Sequence, residues 1–321
     1  MKRGMTSWMF ALIACAAGAL LFFAARSAGN DYVFFAGYTI LQYIVLATAW
    51  NILGGYTGYV NFGSAAFFAV GAYTTVFFHK IFPLPIPLLV IAAAVASGLV
   101  GLGMGYLTLR LRGAFFAIAT LALAVVLQTL IVNWSFVGGS RGAYVIRPAT
   151  MYPFDSYIQY LFLIMLVLVI VALTTARAIE RSRLGYGFAT IRDDELAAEA
   201  SGVPTLKLKL IATALSGAFM GMAGAPFPYY IGFLQPSGAF GLEYTVNAIA
   251  MPMIGGTATW IGPLVGAVLL GTLQQVAIVT ISSAVNLLLV GLLLVGFVIL
   301  APNGLVGVVR NLLRKRPGAQ P

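Results

Sequence analysis

Long continuous runs of apolar residues, separated by short polar stretches, make up most of this 321-residue chain. Many runs reach the ~18 to 20 residues that a helix needs to cross the hydrocarbon core of a bilayer. They lack the alternation of apolar and polar positions that the strands of a membrane β-barrel require. The pattern therefore predicts an all-α fold, a polytopic transmembrane helical bundle of about ten spans. The predicted spans are residues 8–25, 32–53, 60–78, 86–109, 114–134, 157–176, 208–231, 244–256, 261–281 and 284–301.

Two of the predicted spans are expected to be irregular. The span 244–256 is too short to cross the bilayer as a simple helix, and a Gly-Gly pair ends it. Broken, tilted or re-entrant backbone is tolerated at that depth only where protein or water covers it. The segment 54–58, Gly-Gly-Tyr-Thr-Gly, predicts a similar interruption at the start of the third span.

Many of the 36 glycines recur four residues apart within the spans. Small residues at this spacing let helices approach closely where lipid supplies no hydrophobic drive, so helix packing is their expected role. The pairs are Gly101 with Gly105, Gly217 with Gly221, and Gly262 with Gly266.

Charge is concentrated in one segment of an otherwise apolar chain. Residues 177–209, called the charged segment below, hold 11 of the 26 charged residues, whereas residues 244–309 hold none. At 61% hydrophobic and 8% charged residues, the chain is predicted to be a single membrane domain over residues 1–321. The charged segment is then a solvated face between two apolar halves, and it predicts contact with a soluble partner.

The distribution of Lys and Arg over the connections predicts the orientation. With a cytoplasmic amino terminus, 14 of the 18 basic residues lie in the cytoplasm: at residues 2–3, 110–112 and 177–209 and in a tail at 310–321. Ten spans place both termini on that side. The net charge of +10 follows from this arrangement and does not indicate nucleic-acid binding. The basic residues left outside are Arg26, Lys80, Arg141 and Arg147.

Several kinds of chemistry are excluded by the residues present. None of the five lysines lies in a Gly-Lys-Ser/Thr phosphate-binding motif, so this chain is not predicted to hydrolyse ATP. One His and one Cys leave no catalytic triad, disulfide or metal cluster, and no catalytic, cofactor or metal residue is predicted. The interiors of the clear spans hold no Asp, Glu, Lys or Arg, the groups on which proton-coupled carriers depend.

The stretch 192–204 within the charged segment is predicted to form a short helix. Its acidic residues suit the positive end of a helix dipole, and Gly202 and Pro204 are typical of a helix end. A helix of two turns is scarcely stable alone, so we expect it to pack on its own protein, on another chain, or on both.

Five segments, in order and spacing, resemble the permeases of branched-chain amino acid ABC transporters, specifically the M-type subunit. The resemblance covers about residues 40 to 305 and implies that 177–209 is the cytoplasmic loop that couples the permease to an ATPase. The matching stretches are 54–58 with 65–68 and 71–73, 109–113 with 116–122, 182–202, 223–225, and 254–256 with 262–267. The implied ATPase-coupling residues are Arg192, Asp193, Asp194, Glu195, Leu196, Glu199 and Gly202.

The resemblance implies one membrane subunit of an ATP-driven importer in a bacterial inner membrane. The implied partners are a second, homologous permease chain, two cytoplasmic ATP-binding subunits and an extracytoplasmic solute-binding protein. An apolar passage with a few hydroxyls and amides would suit small amphipathic solutes. The candidate pathway residues are Asn61, Ser64, Thr74, Gln128, Asn247 and Gln274.

The solute and two rival functions remain open on the sequence alone. The segment 59–64 departs from the family pattern, and Arg141 stands where a neutral residue is usual, so urea, amides and aromatic acids join the branched-chain amino acids as candidates. An ion-coupled secondary carrier would need a membrane-buried charge. A non-transporting membrane scaffold would use the charged segment only for docking. Neighbouring genes for two ATPases and a binding protein would exclude both rivals.

Overall fold

A computed structural model of the chain describes residues 7–27, 29–82, 84–146 and 154–280, with short pieces at 288, 291–292, 295–296 and 304–308. Almost all of it is helical. The helices are α1 (Ser7–Ser27), α2 (Asp31–Thr57), α3 (Ser64–Ile81), α4 (Ile86–Thr108), α5 (Ala114–Val132), α6 (Tyr157–Glu180), α7 (Arg183–Asp193), α8 (Glu195–Ala200), α9 (Thr205–Gly224), α10 (Phe227–Ile231), α11 (Pro236–Ala239), α12 (Leu242–Gly255) and α13 (Ile261–Thr280).

Seven stretches of the described chain are long and apolar enough to cross a membrane, which confirms the prediction of a polytopic helical bundle. The predicted tenth span, 284–301, lies outside the described residues apart from isolated positions, and the predicted tail 310–321 lies wholly outside them. The seven stretches are Trp8–Ser27, Asp31–Thr57, Ile86–Thr108, Ala114–Val132, Tyr157–Glu180, Thr205–Ile231 and Ile261–Ile278.

The eighth predicted span is a short helix, as expected. Helix α12 has 14 residues and is about 21 Å long, less than the ~30 Å of a bilayer core. Pro252 lies within it, and the backbone leaves the helix at Gly256 with φ of 116°. Residues 244–255 of α12 are buried except for Val246 and Met253, so its irregular end is covered by protein.

The predicted interruption at residues 54–58 is wrong. Helix α2 continues unbroken to Thr57, and only Gly58, with φ of 79°, leaves the helix. Gly54 and Gly55 lie within the helix, where there is no room for a side chain. A side chain at Gly54 would collide with the indole of Trp50, and one at Gly55 would lie 2.8 Å from the carbonyl of Thr257. Helix α3, which corresponds to the predicted span 60–78, accordingly begins at Ser64, and it is not among the seven stretches given above.

The boundaries of the predicted span 208–231 are also corrected. Helix α9 begins earlier, at Thr205, and ends at Gly224, after which a turn at Ala225 and Pro226 separates it from the short helix α10. Pro226 lacks the N–H that a continuous helix would need, which explains the break.

Small residues bring α9 into close contact with α3 and α4, as the glycine spacing predicts. A Cβ at Gly71 of α3 would collide with the backbone of Gly221, and one at Gly217 would lie 2.8 Å from the carbonyl of Ser97 on α4. A Cβ at Gly101 of α4 would likewise lie 3.0 Å from the carbonyl oxygen of Thr213 on α9. The three helices therefore pack backbone against backbone, which gives van der Waals contact in the absence of a hydrophobic drive.

A second close approach joins α12 to α13 through the third glycine pair. A side chain at Gly262 would collide with the backbone of Gly256, and one at Gly266 with the backbone of Met251.

The described residues also include two short strands, β1 (Ala143–Tyr144) and β2 (Phe233–Leu234), which pair antiparallel at the opposite end of the bundle from α7 and α8.

The close packing predicts opposite outcomes for two glycines. Gly71→Ala places a methyl group against the backbone of Gly221, and we expect a loss of about 1–3 kcal/mol of stability or more. Gly103→Ala on α4 meets nothing within 4 Å and should be neutral or stabilising, because alanine favours the helix. Thermal unfolding of the detergent-solubilised variants measures both. Equal melting temperatures for Gly71→Ala and Gly103→Ala would contradict the packing argument.

Candidate functional site

The middle of the charged segment folds into two helices, α7 and α8, which meet at Asp194, and its ends belong to α6 and α9. Ser182 caps α7 by accepting a hydrogen bond from the N–H of Gly185, and Asp194 caps α8 by accepting one from the N–H of Ala197 at 3.1 Å. The prediction of a single helix over 192–204 is therefore wrong about where that helix begins. Arg192 and Asp193 complete α7, because Asp194 takes an extended conformation and begins a new helix.

The predicted end of this helix is confirmed at Gly202. Its φ of 81° is left-handed, and its N–H donates to the carbonyl of Glu199 at 2.9 Å. The N–H of Val203 donates to the carbonyl of Ala198 at 3.0 Å, which completes a Schellman motif. The six-residue helix α8 is thus closed at both ends by its own sequence.

Two basic residues of the charged segment are buried, contrary to the expectation of a wholly solvated face. Arg177 lies within α6, and its guanidinium is 4.2 Å from the ring centre of Phe10. Lys209 lies within α9, and only 4% of its side chain is exposed. Sequence periodicity places both at the ends of apolar runs, where the boundary between loop and helix is hardest to predict.

Lys209 donates hydrogen bonds to three different elements. Its Nζ is 2.6 Å from Oε1 of Glu195 on α8 and 3.0 Å from the carbonyl of Leu109 at the end of α4. Nζ is also 3.1 Å from the hydroxyl of Tyr59, in the connection between α2 and α3. An ammonium group has three donors, so the charge is fully satisfied in its buried position.

Glu195 is the acceptor at the centre of the cluster. It also accepts a short hydrogen bond from the hydroxyl of Tyr59, and its side chain is 11% exposed. Burial alone would raise the pKa of Glu195. The hydrogen bonds from Lys209 and Tyr59, with the charges of Lys209 and Arg112, outweigh burial and hold the pKa below its usual value. The carboxylate therefore stays ionised.

Tyr59 stays protonated and can act as the donor to Glu195. Burial is the main cause that raises the pKa of the Tyr59 phenol, and the hydrogen bond to the Glu195 carboxylate and its negative charge raise it further. The ring of Tyr59 packs edge-on against Phe116 at 5.0 Å between ring centres. It also lies 4.8 Å from the Lys209 ammonium.

A weaker outer layer surrounds this cluster. Arg112 is half exposed and lies 3.7 Å from Glu195 and 3.8 Å from Glu199. Glu199 also accepts a hydrogen bond of 2.7 Å from the hydroxyl of Thr205. Ion pairs at this exposure contribute about 0–1 kcal/mol, so they stabilise the position of α8 much less than Lys209 does.

A pocket of about 460 Å³ opens beside the cluster, between the connections that follow α2 and α4 and the corner of α7 and α8. Arg112, Arg192, Glu195, Tyr59 and Thr57 line it with polar groups, and most of the other lining residues are apolar. The connections that carry Arg112 and the charged segment therefore lie at the same end of the bundle, which agrees with their predicted location on one side of the membrane.

The predicted coupling residues divide into one that faces inward and six that face outward. Glu195 points to Lys209, whereas the others are exposed at the end of the bundle. Leu196 is the most prominent of them, because an apolar side chain that is 63% exposed stands beside an acidic corner. The outward-facing residues are Arg192, Asp193, Asp194, Leu196, Glu199 and Gly202.

The predicted pathway residues fall into separate groups. Asn61 and Ser64 are buried together, with the Ser64 hydroxyl donating to the carbonyl of Asn61 at 3.1 Å. Asn247 of α12 and Gln274 of α13 are joined by a hydrogen bond of 2.8 Å from Nε2 of Gln274.

Thr74 and Gln128 each line a different pocket. Thr74 lines one of about 460 Å³ with almost wholly apolar walls, and Gln128 lines one of about 160 Å³ beside Thr245 of α12. The single chain does not bring the six candidate residues into one channel.

The sequence analysis missed Lys209, Tyr59 and Arg112 as members of the site. A signal for Lys209 was present, since Thr205, Lys209, Thr213, Gly217 and Gly221 recur every four residues and are all buried on α9. A lysine that continues a row of small packing residues lies on the buried face of its helix. Tyr59 and Arg112 carry no comparable sequence signal, because both lie in connections.

The cluster predicts a pH-dependent loss of stability in Glu195→Gln. Leaving Lys209 without its carboxylate should cost about 3 kcal/mol at neutral pH, near the low end for a buried ion pair because Glu195 is slightly exposed. A depressed pKa means that the stabilisation is present at neutral pH and is lost as the pH falls through the folded-state pKa, below 4.5.

Thermal unfolding of wild type and variant across this pH range is the measurement. Asp193→Asn, which removes an exposed charge near Arg192 only, is the control and should change stability by less than about 0.5 kcal/mol. A melting-temperature difference between wild type and Glu195→Gln that stays constant down to the lowest pH would contradict the buried-pair argument.

Comparisons with known proteins agree with this geometry. The family model described as branched-chain amino acid transport system / permease component matches residues 32–298. The chain is 28% identical, over an alignment of 302 positions covering 86% of this chain and 70% of the relative, to the high-affinity branched-chain amino acid transport system permease protein LivM of Salmonella typhimurium.

Two further relatives extend the comparison. The LivM protein of Escherichia coli is 27% identical over 86% of this chain and 70% of its own length. The autoinducer 2 import system permease protein LsrC of Yersinia enterocolitica is 26% identical over 68% of this chain and 62% of its own length. The charged end, the bundle of apolar helices and the match over residues 32–298 lead to one conclusion: the chain belongs to the family of permease components of branched-chain amino acid transport systems.

Proposed function

We propose that this chain is a permease subunit of an ATP-driven importer and that α7 and α8 dock into an ATP-binding subunit. The observation that supports this most directly is the exposed corner at Asp193, Asp194 and Leu196, at one end of an otherwise apolar bundle. An apolar anchor surrounded by charged residues is typical of a protein interface. The sequence has no phosphate-binding loop, so ATP hydrolysis is assigned to a partner.

The proposed solute is a branched-chain amino acid or a related small amphipathic molecule. The names of the LivM relatives supply the first candidate, and the LsrC relatives extend the range to other small polar molecules. Buried amides and hydroxyls, including the Asn247–Gln274 pair, offer hydrogen bonds in an otherwise apolar interior. An amide, urea or an aromatic acid suits the same chemistry. Selection of the solute is assigned chiefly to an extracytoplasmic binding protein.

The proposed assembly contains two permease chains, two cytoplasmic ATP-binding subunits and the solute-binding protein. The pathway residues of this chain lie in separate groups, so a second, homologous permease chain is needed to complete a passage. The charged end is assigned to the cytoplasmic side of a bacterial inner membrane, together with both termini, because 14 of 18 basic residues then lie inside. The whole of 1–321 acts as one transmembrane domain.

Docking through α8 predicts that Leu196→Glu prevents capture of the ATP-binding subunit. Replacing a central apolar anchor by a charge should weaken the interface by about 2 kcal/mol or more, roughly 30-fold in affinity. Glu195→Lys is a poorer test, because it would disrupt the internal contact with Lys209 as well. Co-purification of the ATP-binding subunit with the tagged permease measures the effect.

Leu111→Glu is the matched control. This leucine is also exposed, at 41%, at the same end of the bundle but outside α7 and α8. Capture should be unchanged in this variant. Equal capture by wild type, Leu196→Glu and Leu111→Glu would remove α8 from the docking surface.

The source of energy gives a second test. The buried basic residues of the charged segment, Arg177 and Lys209, lie at the charged ends of α6 and α9, away from the middle of the spans, where a proton relay would be expected. In proteoliposomes that contain the complete assembly, uptake should require ATP and should continue when an ionophore removes the proton gradient. Uptake that stops when the ionophore collapses the proton gradient, with ATP held constant, would favour the secondary-carrier alternative.

A further inference from the structure

The position of α8 depends on very few polar contacts. Its side-chain hydrogen bonds and ion pairs to other described elements all run through Glu195 and Glu199. Those of Glu199 are made at a half-exposed position, whereas Glu195 is held by Lys209 and Tyr59 in a nearly dry environment. The buried contact is the stronger of the two, because screening by water weakens an exposed pair.

Tyr59 belongs to a connection that is itself fixed to three other helices. Residues 58–63, called the Tyr59 loop, link the end of α2 to the start of α3. Hydrogen bonds join this connection and the first turn of α3 to α2, α5 and α12. Trp50 Nε1 donates to the carbonyl of Asn61 at 3.0 Å, the N–H of Phe62 to the Thr120 hydroxyl at 3.1 Å, and the N–H of Ala65 to the Thr245 hydroxyl at 3.0 Å.

One of these contacts leads to the irregular helix of the bundle. The Thr245 hydroxyl lies at the start of α12 and also contacts the carbonyl of Phe62 at 3.3 Å. Helix α12 is the short helix interrupted at Gly256, and it carries Asn247. A path therefore runs from α8 to α12 through two hydrogen bonds, Glu195 to Tyr59 and Phe62 to Thr245, which the backbone of residues 59–62 connects.

A displacement of α8 strains the contacts that Glu195 makes with Lys209 and Tyr59. If these contacts break, a buried ammonium is left without its counter-ion, and this result is strongly disfavoured in a buried site. The hydroxyl of Tyr59 contacts both Glu195 and Lys209 and so joins the ion pair to the loop. The loop is therefore expected to move with α8.

We propose that Lys209 and Tyr59 are positioning residues that carry the movement of α8 to the Tyr59 loop and thereby to α12. This inference rests on the proposed function, in which an ATP-binding subunit displaces α8 according to its nucleotide state. Lys209 holds Glu195 in place, and the Tyr59 hydroxyl converts the position of α8 into the position of the loop. Conformational coupling of this kind needs an element whose equilibrium both ends bias, and the Tyr59 loop is that element.

The test measures movement of the loop without requiring a known solute. Val60, which neighbours Tyr59 and is 38% exposed, is replaced by cysteine in a Cys15→Ala background. The permease is purified with its ATP-binding subunits, and the rate of maleimide labelling at residue 60 is compared between the nucleotide-free state and the state trapped with ATP and vanadate. We expect the rate to differ several-fold between the two states.

Tyr59→Phe separates the proposed role from general stability. The ring stays in place while the hydroxyl is lost, and the bond between Lys209 and Glu195 remains, so capture of the ATP-binding subunit should be unchanged. The nucleotide-dependent difference in labelling should fall below about half of its parental value. Lys209→Met should have the same effect, whereas Lys207→Met, which alters an exposed lysine on the same turn, should leave the difference intact.

Each outcome has a distinct meaning. If the ATP-binding subunit is not captured by the parent protein, the proposed function fails. If it is captured but Tyr59→Phe keeps the full nucleotide-dependent difference, or the parent shows none, the positioning role is overturned while the proposed function stands. Loss of the difference in Lys207→Met as well would also overturn it, because the effect would then reflect basic charge in general.

Discussion

The close approach of helix backbones around α9 is the constraint on which the rest of the structure depends. Lipid provides no hydrophobic drive for helices to associate, so association depends on how closely their backbones can pack. Gly217 and Gly221 let α9 meet α4 and α3 at distances that any Cβ would prevent. This contact places α9 at the centre of the bundle, and it thereby sets the positions of α8, which precedes α9, and α10, which follows it.

The charged cluster is a direct consequence of that packing. Because α9 is held against α4, Lys209 on its first turns is enclosed beside the carbonyl of Leu109 at the end of α4. A buried ammonium needs partners, and Glu195 and Tyr59 supply the remaining two. The short helix α8, which six residues could not stabilise alone, thus obtains a fixed position from the apolar bundle. The exposed face of α8 is therefore positioned by the apolar bundle, through Lys209 and Tyr59.

This arrangement suits the proposed response of the chain to a partner in water, because the charged groups of the cluster lie outside the apolar spans. The ionic contacts of the charged cluster lie at one end of the bundle, where desolvation is incomplete, and the buried polar side chains of the described interior between the helix ends are amides and hydroxyls. Pairs such as Asn247 with Gln274 satisfy each other and leave the interior neutral. The proposed movement of α8, passed to α12 through the Tyr59 loop, suits such a chain better than transfer of a proton through its interior. An unpaired charge buried in the bilayer is costly.

The sequence by itself determined the class of the fold, its concentration of charge and much of its helix packing. Apolar runs, the glycine pairs and the capping residues Asp194 and Gly202 act locally, and their effects depend mainly on spacing along one chain. The sequence analysis nevertheless placed Lys209 in a solvated segment and took residues 54–58 for a break. Only the tertiary structure decided these points, because a lysine is buried or exposed according to which helices surround it, and a glycine serves a turn or a close contact according to what lies opposite. The partners of Lys209 are 14, 100 and 150 residues away along the chain, and folding alone brings them together.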